Sequence, residues 1–280
     1  LAPFAVGPVM AFRGPIGISA ANDAERIRAA VRSCAPAMAV GALAAGADII
    51  AAEAAIEHGA ALHIILPAPP DVFRAASVAP QAGHWTARFD ALLDAAEQVE
   101  WLNEPDGFSQ GAMHLAETMV DGLAKAEAQA LESRAVTLKV MRMSKPNELD
   151  NDDLAETMVV RVEGDANHDA PALPAPATAR LWLGEAGSAK SSSAPILEAG
   201  SLFAGLRPGA TLDAAVSDGN HQPPRLAALR LLARPHTVVA SRPAALVMAA
   251  LCPSTRVVPA GEVDGADGPV AFYDLLPEQD

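Results

Sequence analysis

The sequence predicts an α/β protein, with a mostly parallel sheet and flanking helices followed by a smaller α+β domain. Three observations carry this. In the first half, compact apolar runs such as "ALHIILP" alternate with stretches of helical periodicity such as "ADIIAAEAAIEHG". A polar stretch, "SKPNELDNDD", and a Pro/Ala-rich one, "GDANHDAPALPAPATA", then break the pattern. The 280 residues, 51% of them hydrophobic, are enough for two ordinary cores. The expected organisation is a first domain over 1–145, a linker over 146–177 and a second domain over 178–280.

In order, "FAVGPVM" (Phe4–Met10) reads as a buried strand broken by Gly7 and Pro8, and "NDAERIRAAVRSC" as a helix capped by Asn22 with Glu25 three residues on. Ala39–Val40 is a short second strand entering the loop Gly41–Asp48. From Asp48, Ile49, Ala52 and Ile56 share a helical face, and Gly59 stops the helix. "ALHIILP" is the third strand. Trp85, Phe89, Leu92, Leu93 and Ala96 mark a core-facing helix before the strand "QVEWLNEP". "GAMHLAETMVDGLAKAEAQALESR" is a long helix and "AVTLKVM" a strand. Strands alternating with helices at this spacing form βαβ units, and ligands of such sheets sit beyond the strands' carboxyl ends. The loops carrying Gly7, Gly41–Asp48, Pro67–Ser77 and Asn103–Gly107 are expected to converge there.

In the second half, "ARLWLGEAG" is a strand, "SAKSSS" a polar loop, "PILEAGSLFAGL" a helix and "TLDAAVSDG" a strand. "PPRLAALRLLA", "HTVVAS", "PAALVMAAL" and "VAFYDLLP" continue as helix, strand, helix and strand.

Charge and cysteine use exclude several functions. A net charge of -14 and a pI near 4.8 give a surface that repels phosphate backbones, so nucleic acid is not an expected partner. Cys34 and Cys252 belong to no Cys/His cluster, which argues against a disulfide framework or structural zinc and suits a reducing cytoplasm. No apolar run reaches the roughly 18 residues that span a bilayer, and Leu1–Met10 lacks a basic leader before Arg13. "GEAGSAKS" (Gly184–Ser191) misses a phosphate loop because Ala189 stands where a glycine is needed. "DANHDAPALPAP" lacks the sixth-position Gly and twelfth-position Glu of a calcium loop. No nucleophile with its base stands out, and no metal is expected.

"GALAAGADIIAAEAAIEHGAALHIILP" is similar to the loop, helix and strand of the superfamily joining the Smf/DprA DNA-processing proteins with the Lonely Guy proteins, the SLOG domains. The matching positions are Gly41, Leu43, Ala44, Gly46 and Asp48, and "GADI", "AE", "SVAP", Trp85 and Phe89 follow in the order seen in bacterial SLOG domains. The resemblance covers roughly residues 4 to 142 and implies a Rossmann-like fold around a nucleotide-type ligand. A helix N-terminus offers free N–H groups and partial positive charge to such an anion. Gly7, Arg13, Gly41, Gly46, Ala47, Asp48, Glu53 and Pro67 are the candidate ligand-binding residues. Three of these have a plainer reading: Asp48 as a helix N-cap, Glu53 as a solvated or structural group, Arg13 as a surface residue; His63, inside an apolar strand, reads as a satisfied core histidine. The loop departs from the Lonely Guy Pro-Gly-Gly-x-Gly-Thr signature, having Ala44, Ala45 and Ala47 and no Thr, with Glu53 seven residues after Gly46.

Residues 178 to 277 resemble the second half of a class III nucleotidyl cyclase domain, through "RPGATLDAAVSDG", "RLAALRLLARPHTVVASRPAALVMA" and "GADGPVAFYDLLP". The metal-holding Asp of such domains falls on Gly184 or Glu185, and their helix Asn and Arg near Arg225 and Leu229. The second domain therefore reads as a degenerate cyclase kept for packing or pairing. Together the resemblances imply a non-catalytic regulatory or scaffold protein, nucleotide-sensing in its first domain and assembling into homo- or hetero-oligomers through its second. The alternatives are a nucleotide hydrolase or N-glycosidase using Glu53 and Asp48, and a purely structural subunit.

Overall fold

A computed structural model of the chain describes residues 6–18, 20–81, 83–103, 108–143, 156–163, 178–185, 191–196, 206–217, 222–252, 254–265 and 268–277. Residues 186–190 of the near-miss phosphate loop, the calcium-like stretch from Asp165, most of the helix expected after Pro195 and residues 104–107 of the loop expected after the fourth strand lie outside these residues. The chain forms two compact units, one of Leu1–Asn103 with Glu127–Ala172, the other of Glu104–Ala126 with Leu173–Asp280.

The first unit is a Rossmann-like six-stranded parallel sheet in the order β4-β3-β2-β1-β5-β6. Its strands are β1 (Val9–Arg13), β2 (Met38–Gly41), β3 (Ala61–Leu66), β4 (Gln98–Trp101), β5 (Ala135–Arg142) and β6 (Thr157–Val162). Helix α1 (Ala21–Cys34) buries Ile27, Val31 and Cys34, one stripe at helical spacing. Helix α2 (Ala47–Glu57) buries almost every residue from Ala47 to Ala55; an alanine-rich helix suits this position because its neighbours can approach on all sides. A short α3 (Pro70–Phe73) runs into a π turn (Arg74–Val78), and α4 (Trp85–Ala95) sets Trp85, Phe89 and Leu92 into the core. Phe89 lies 6.2 Å from Phe73.

Three expectations need correction here. The first strand starts at Val9, after Pro8, whose carbonyl accepts the Ala37 N–H at 2.9 Å. Asn22 does not cap α1, since the N-cap is Ala20 and no side chain bonds there. Asp23, buried, reaches instead to the Glu163 N–H at 3.0 Å. The stretch 146–177 is not all linker, because Thr157–Val162 pairs with β5 from Thr137 to Arg142 and extends the sheet.

The second unit is a mixed sheet, β11-β12-β10-β9-β7-β8. It comprises β7 (Thr178–Gly184), β8 (Ser191–Pro195), β9 (Thr211–Ser217), β10 (Val238–Ser241), β11 (Thr255–Gly265) and β12 (Gly268–Pro277). Helix α6 (Pro224–Leu231) makes the crossover from β9 to its parallel neighbour β10, and packs Leu229 against Val239 and Phe272. Helix α7 (Arg242–Leu251) follows β10. Helix α5 (Gln110–Ala130) belongs to this unit as far as Ala126, and Lys125 Nζ donates to the Ala250 carbonyl at the end of α7. Ser191–Ser193, expected as loop, and Pro195, expected to begin a helix, belong to β8, because β7 supplies the full antiparallel ladder and Arg180 Nε reaches Ser193 Oγ at 3.1 Å. β11, read as no element from the sequence, is the hairpin partner of β12.

Candidate functional site

The sheet order of the first unit reverses at β1, with β2 on one side and β5 on the other, so the crevice beyond the carboxyl ends of β1 and β5 is where an α/β sheet places its ligand. Two loops meet there: residues 14–18 after β1, and residues 42–46 between β2 and α2. They are tied by backbone. Ile16 and Gly46 form a β-bridge, Gly17 N–H donates to Ala45 O at 3.1 Å, and Ala47 N–H donates to Pro15 O at 3.2 Å. Ala45 N–H donates to Ser77 O at 3.3 Å, bringing the π turn onto the same loop. Arg142 Nη2 at the end of β5 donates to Ile16 O at 2.9 Å, strapping the first loop across the reversal point.

Asp48 is the second residue of α2, whose N-cap is Gly46, so the N-cap reading of Asp48 is corrected. Its carboxylate turns back and accepts the Ala44 N–H at 3.3 Å, ordering the loop ahead of the helix. It is 7% exposed. An anion at this helix start would therefore meet a buried carboxylate, and the amides of Ala44, Ala45 and Ala47 already donate to protein oxygens. Four such bonds, counting Gly17 N–H, contribute about 1 kcal/mol each to holding the loop closed on itself.

The remaining candidates divide. Gly41 ends β2 against the Phe12 ring, and Pro67 is buried after β3, both at the carboxyl end of the sheet. Arg13 ends β1, half-buried and in register with Lys139 of β5. Gly7 is a correction: it precedes β1, packs against Ala35 and Ala37 ahead of β2, and its carbonyl accepts from Ser133 Oγ at 2.9 Å. That is the amino end of the sheet, opposite the loops.

Glu53 lies past the first turn of α2 and is engaged with other helices. Both its carboxylate oxygens take a bidentate pair from Arg88, at 2.6 and 2.7 Å, and Arg28 stands 4.0 Å away. The Arg88 guanidinium also lies 4.2 Å over the Trp85 ring. Glu53 thus joins α1, α2 and α4 along the wall of a shallow groove of about 480 Å³ lined by Ile56, Glu57, Ala87 and Ala91. The structure does not bring Glu53 to the loop with Asp48. His63, expected as a satisfied core histidine, is half-buried, and its Nδ1 has no hydrogen-bond partner among the described residues.

The second unit holds a polar centre not singled out from the sequence. Asp213, in the middle of β9, is fully buried. It accepts from Ser241 Oγ at 2.5 Å and from Arg225 Nε at 3.2 Å, while Arg225 Nη2 donates to Ala214 O at 3.2 Å. Ser241 Oγ accepts the Ala244 N–H at 3.3 Å, capping α7. Burial pushes the Asp213 carboxyl above the ordinary carboxylate value; Arg225, Ser241 and the Ala214 amide act against it. Trp182 stands opposite Asp213 in the ladder, buried, its indole N–H without an acceptor among the described residues. The one signal in the sequence was a lone acid inside an apolar strand, "TLDAAVS". Gly184, one of the two positions expected from the resemblance to align with a metal-holding Asp, pairs with Thr211 and Ser191. Arg225 and Leu229, expected to align near a helix Asn and Arg, serve Asp213 and the core. Among the described residues no group of three or more His, Cys, Asp or Glu is placed to hold a metal, and no helix is long and apolar enough to cross a membrane.

Comparison of the chain with family models, with curated proteins and with solved structures finds no match.

Proposed function

We propose that this is a non-catalytic scaffold or regulatory protein. Its SLOG-like first unit uses the nucleotide-type loop to hold itself together, and its cyclase-like second unit serves assembly and not turnover. One observation carries the reading: the amides of Ala44 and Ala45 in the loop, and of Ala47 at the first residue of α2, donate to Asp48, Ser77 and Pro15. The N-glycosidase alternative needs Glu53 and Asp48 to act on one ligand. Glu53 is instead bound by Arg88 on the groove between α2 and α4. The acidic surface further disfavours phosphate-bearing ligands.

Thermal unfolding in the presence of nucleoside mono-, di- and triphosphates and cyclic nucleotides tests this. A nucleotide at 100 times its dissociation constant would stabilise the fold by about 2.7 kcal/mol, several degrees for a unit of this size. The expected result is no shift with any of them. A shift that Asp48→Asn abolishes would make the first unit a nucleotide sensor; release of free base that Glu53→Ala abolishes would make it an enzyme.

A further inference from the structure

Among the described residues the two sheets have four edge strands, and three are blunted against pairing. β4 is four residues long and carries Gln98 and Glu100; β8 ends on Pro195; β11 contains Pro259 and an irregularity between Pro259 and Gly261. β6 is different. "TMVVRV" has no Pro, no Gly and one charge, with Val159 38% exposed at its centre.

The direction of its backbone groups follows from the ladder with β5. Thr137 N–H donates to Glu156 O and Met143 N–H to Val162 O, so residues 156, 158, 160 and 162 face β5. Thr157, Val159 and Arg161 present their N–H and C=O groups outward. Helix α1 closes the far end of this row: Arg26 Nη1 reaches Arg161 O at 3.4 Å, and Asp23 takes the Glu163 N–H.

We propose that β6 pairs antiparallel with β6 of a second copy of this chain, about a two-fold axis at Val159, joining two parallel sheets edge to edge. The row is self-complementary in that register. Val159 meets its own copy as a hydrogen-bonded pair, Thr157 meets Arg161 on either side, and about six hydrogen bonds form, with Arg161 O shared with Arg26. On the alternate side Met158 meets Val160, apolar against apolar. Charge selects the register: an axis at Arg161 sets guanidinium beside guanidinium, whereas an axis at Val159 places each Arg161 opposite a threonine. Other placements that avoid the arginine clash use fewer of the three outward residues. Strand pairing of this length buries less than a standard interface, so the dimer is in the micromolar class, not the nanomolar.

Sedimentation velocity on the full chain between about 1 and about 100 µM reads this directly. The mass is expected to rise with concentration towards twice 28.7 kDa. Val159→Pro removes an outward N–H that the unit's own sheet does not use, a position where an edge strand tolerates proline. It should keep the melting profile while weakening dimerisation at least about tenfold. A cross-linking pair fixes the register. In a Cys252→Ser background, where the remaining Cys34 is buried, Val159→Cys should form a disulfide dimer on oxidation, since hydrogen-bonded antiparallel partners lie about 5.5 Å apart at Cα. Thr157→Cys should not, because its copies sit about four residues apart along the strands. A monomer at every concentration, a dimer indifferent to Val159→Pro, or Thr157→Cys cross-linking as well as Val159→Cys would each overturn the proposal.

Discussion

Replacing Asp213 with alanine is expected to destabilise the second unit by about 3 kcal/mol, at the low end of the range for breaking a buried ion pair. The Asp213 carboxylate holds Ser241 and Arg225 together, and so β9, β10, α6 and the start of α7. The Arg225 side chain is 36% exposed and can turn to water when its partner is lost, which keeps the cost below the larger values seen for a stranded buried charge. The same group makes stability depend on pH. Burial holds the folded carboxyl above its ordinary value, which the unfolded chain retains. Between those two values the native state binds more protons than the unfolded state, so stability falls as pH rises through the window. Asp213→Asn should remove that slope, which denaturant midpoints measured across the acid range would show.

Gly46→Ala should cost the first unit about 3 kcal/mol. Gly46 sits at φ 135°, where a side chain is strained in any surroundings, and an added Cβ would stand 2.7 Å from Pro15 O and 3.0 Å from Gly17 N, both backbone. The loop cannot yield without giving up the bridge to Ile16 and the Ala47 to Pro15 bond. Gly59→Ala is the internal control. Its φ of 79° is also left-handed, yet nothing lies within 4 Å of the added methyl, so about 1 kcal/mol is expected. Urea unfolding of the two variants side by side separates the contribution of close approach from that of backbone conformation.

Alternation of apolar strands and helices was enough to place β1–β5 with α1, α2, α4 and α5, though not the start of β1 or the short α3 in the stretch expected as loop, because parallel strands buried on both faces are continuous apolar runs. It failed where pairing overrides composition. β8 is a serine run made into a strand by β7, and β6 lies in polar surroundings, distinguished only once β5 supplies its ladder. The candidate loop was legible as a position at the carboxyl end of the sheet. Its state was not: whether Ala45 and Ala47 offer their amides to a ligand or to Ser77 and Pro15 depends on residues about 30 positions away on either side. Glu53 was misplaced for a related reason, since its partner Arg88 lies on a later helix. Asp213 left a trace in the sequence, but one buried acid shows nothing of its partners until the sheet brings Ser241 beside it.

Whether the loop before α2 is closed or waiting for a ligand is measured most directly by amide hydrogen exchange at Gly17, Ala44, Ala45 and Ala47. Closure predicts that these four amides are protected in the protein alone and that adding a nucleoside triphosphate leaves their exchange unchanged. Rapid exchange that slows at Ala45 and Ala47 when the nucleotide is added would contradict it.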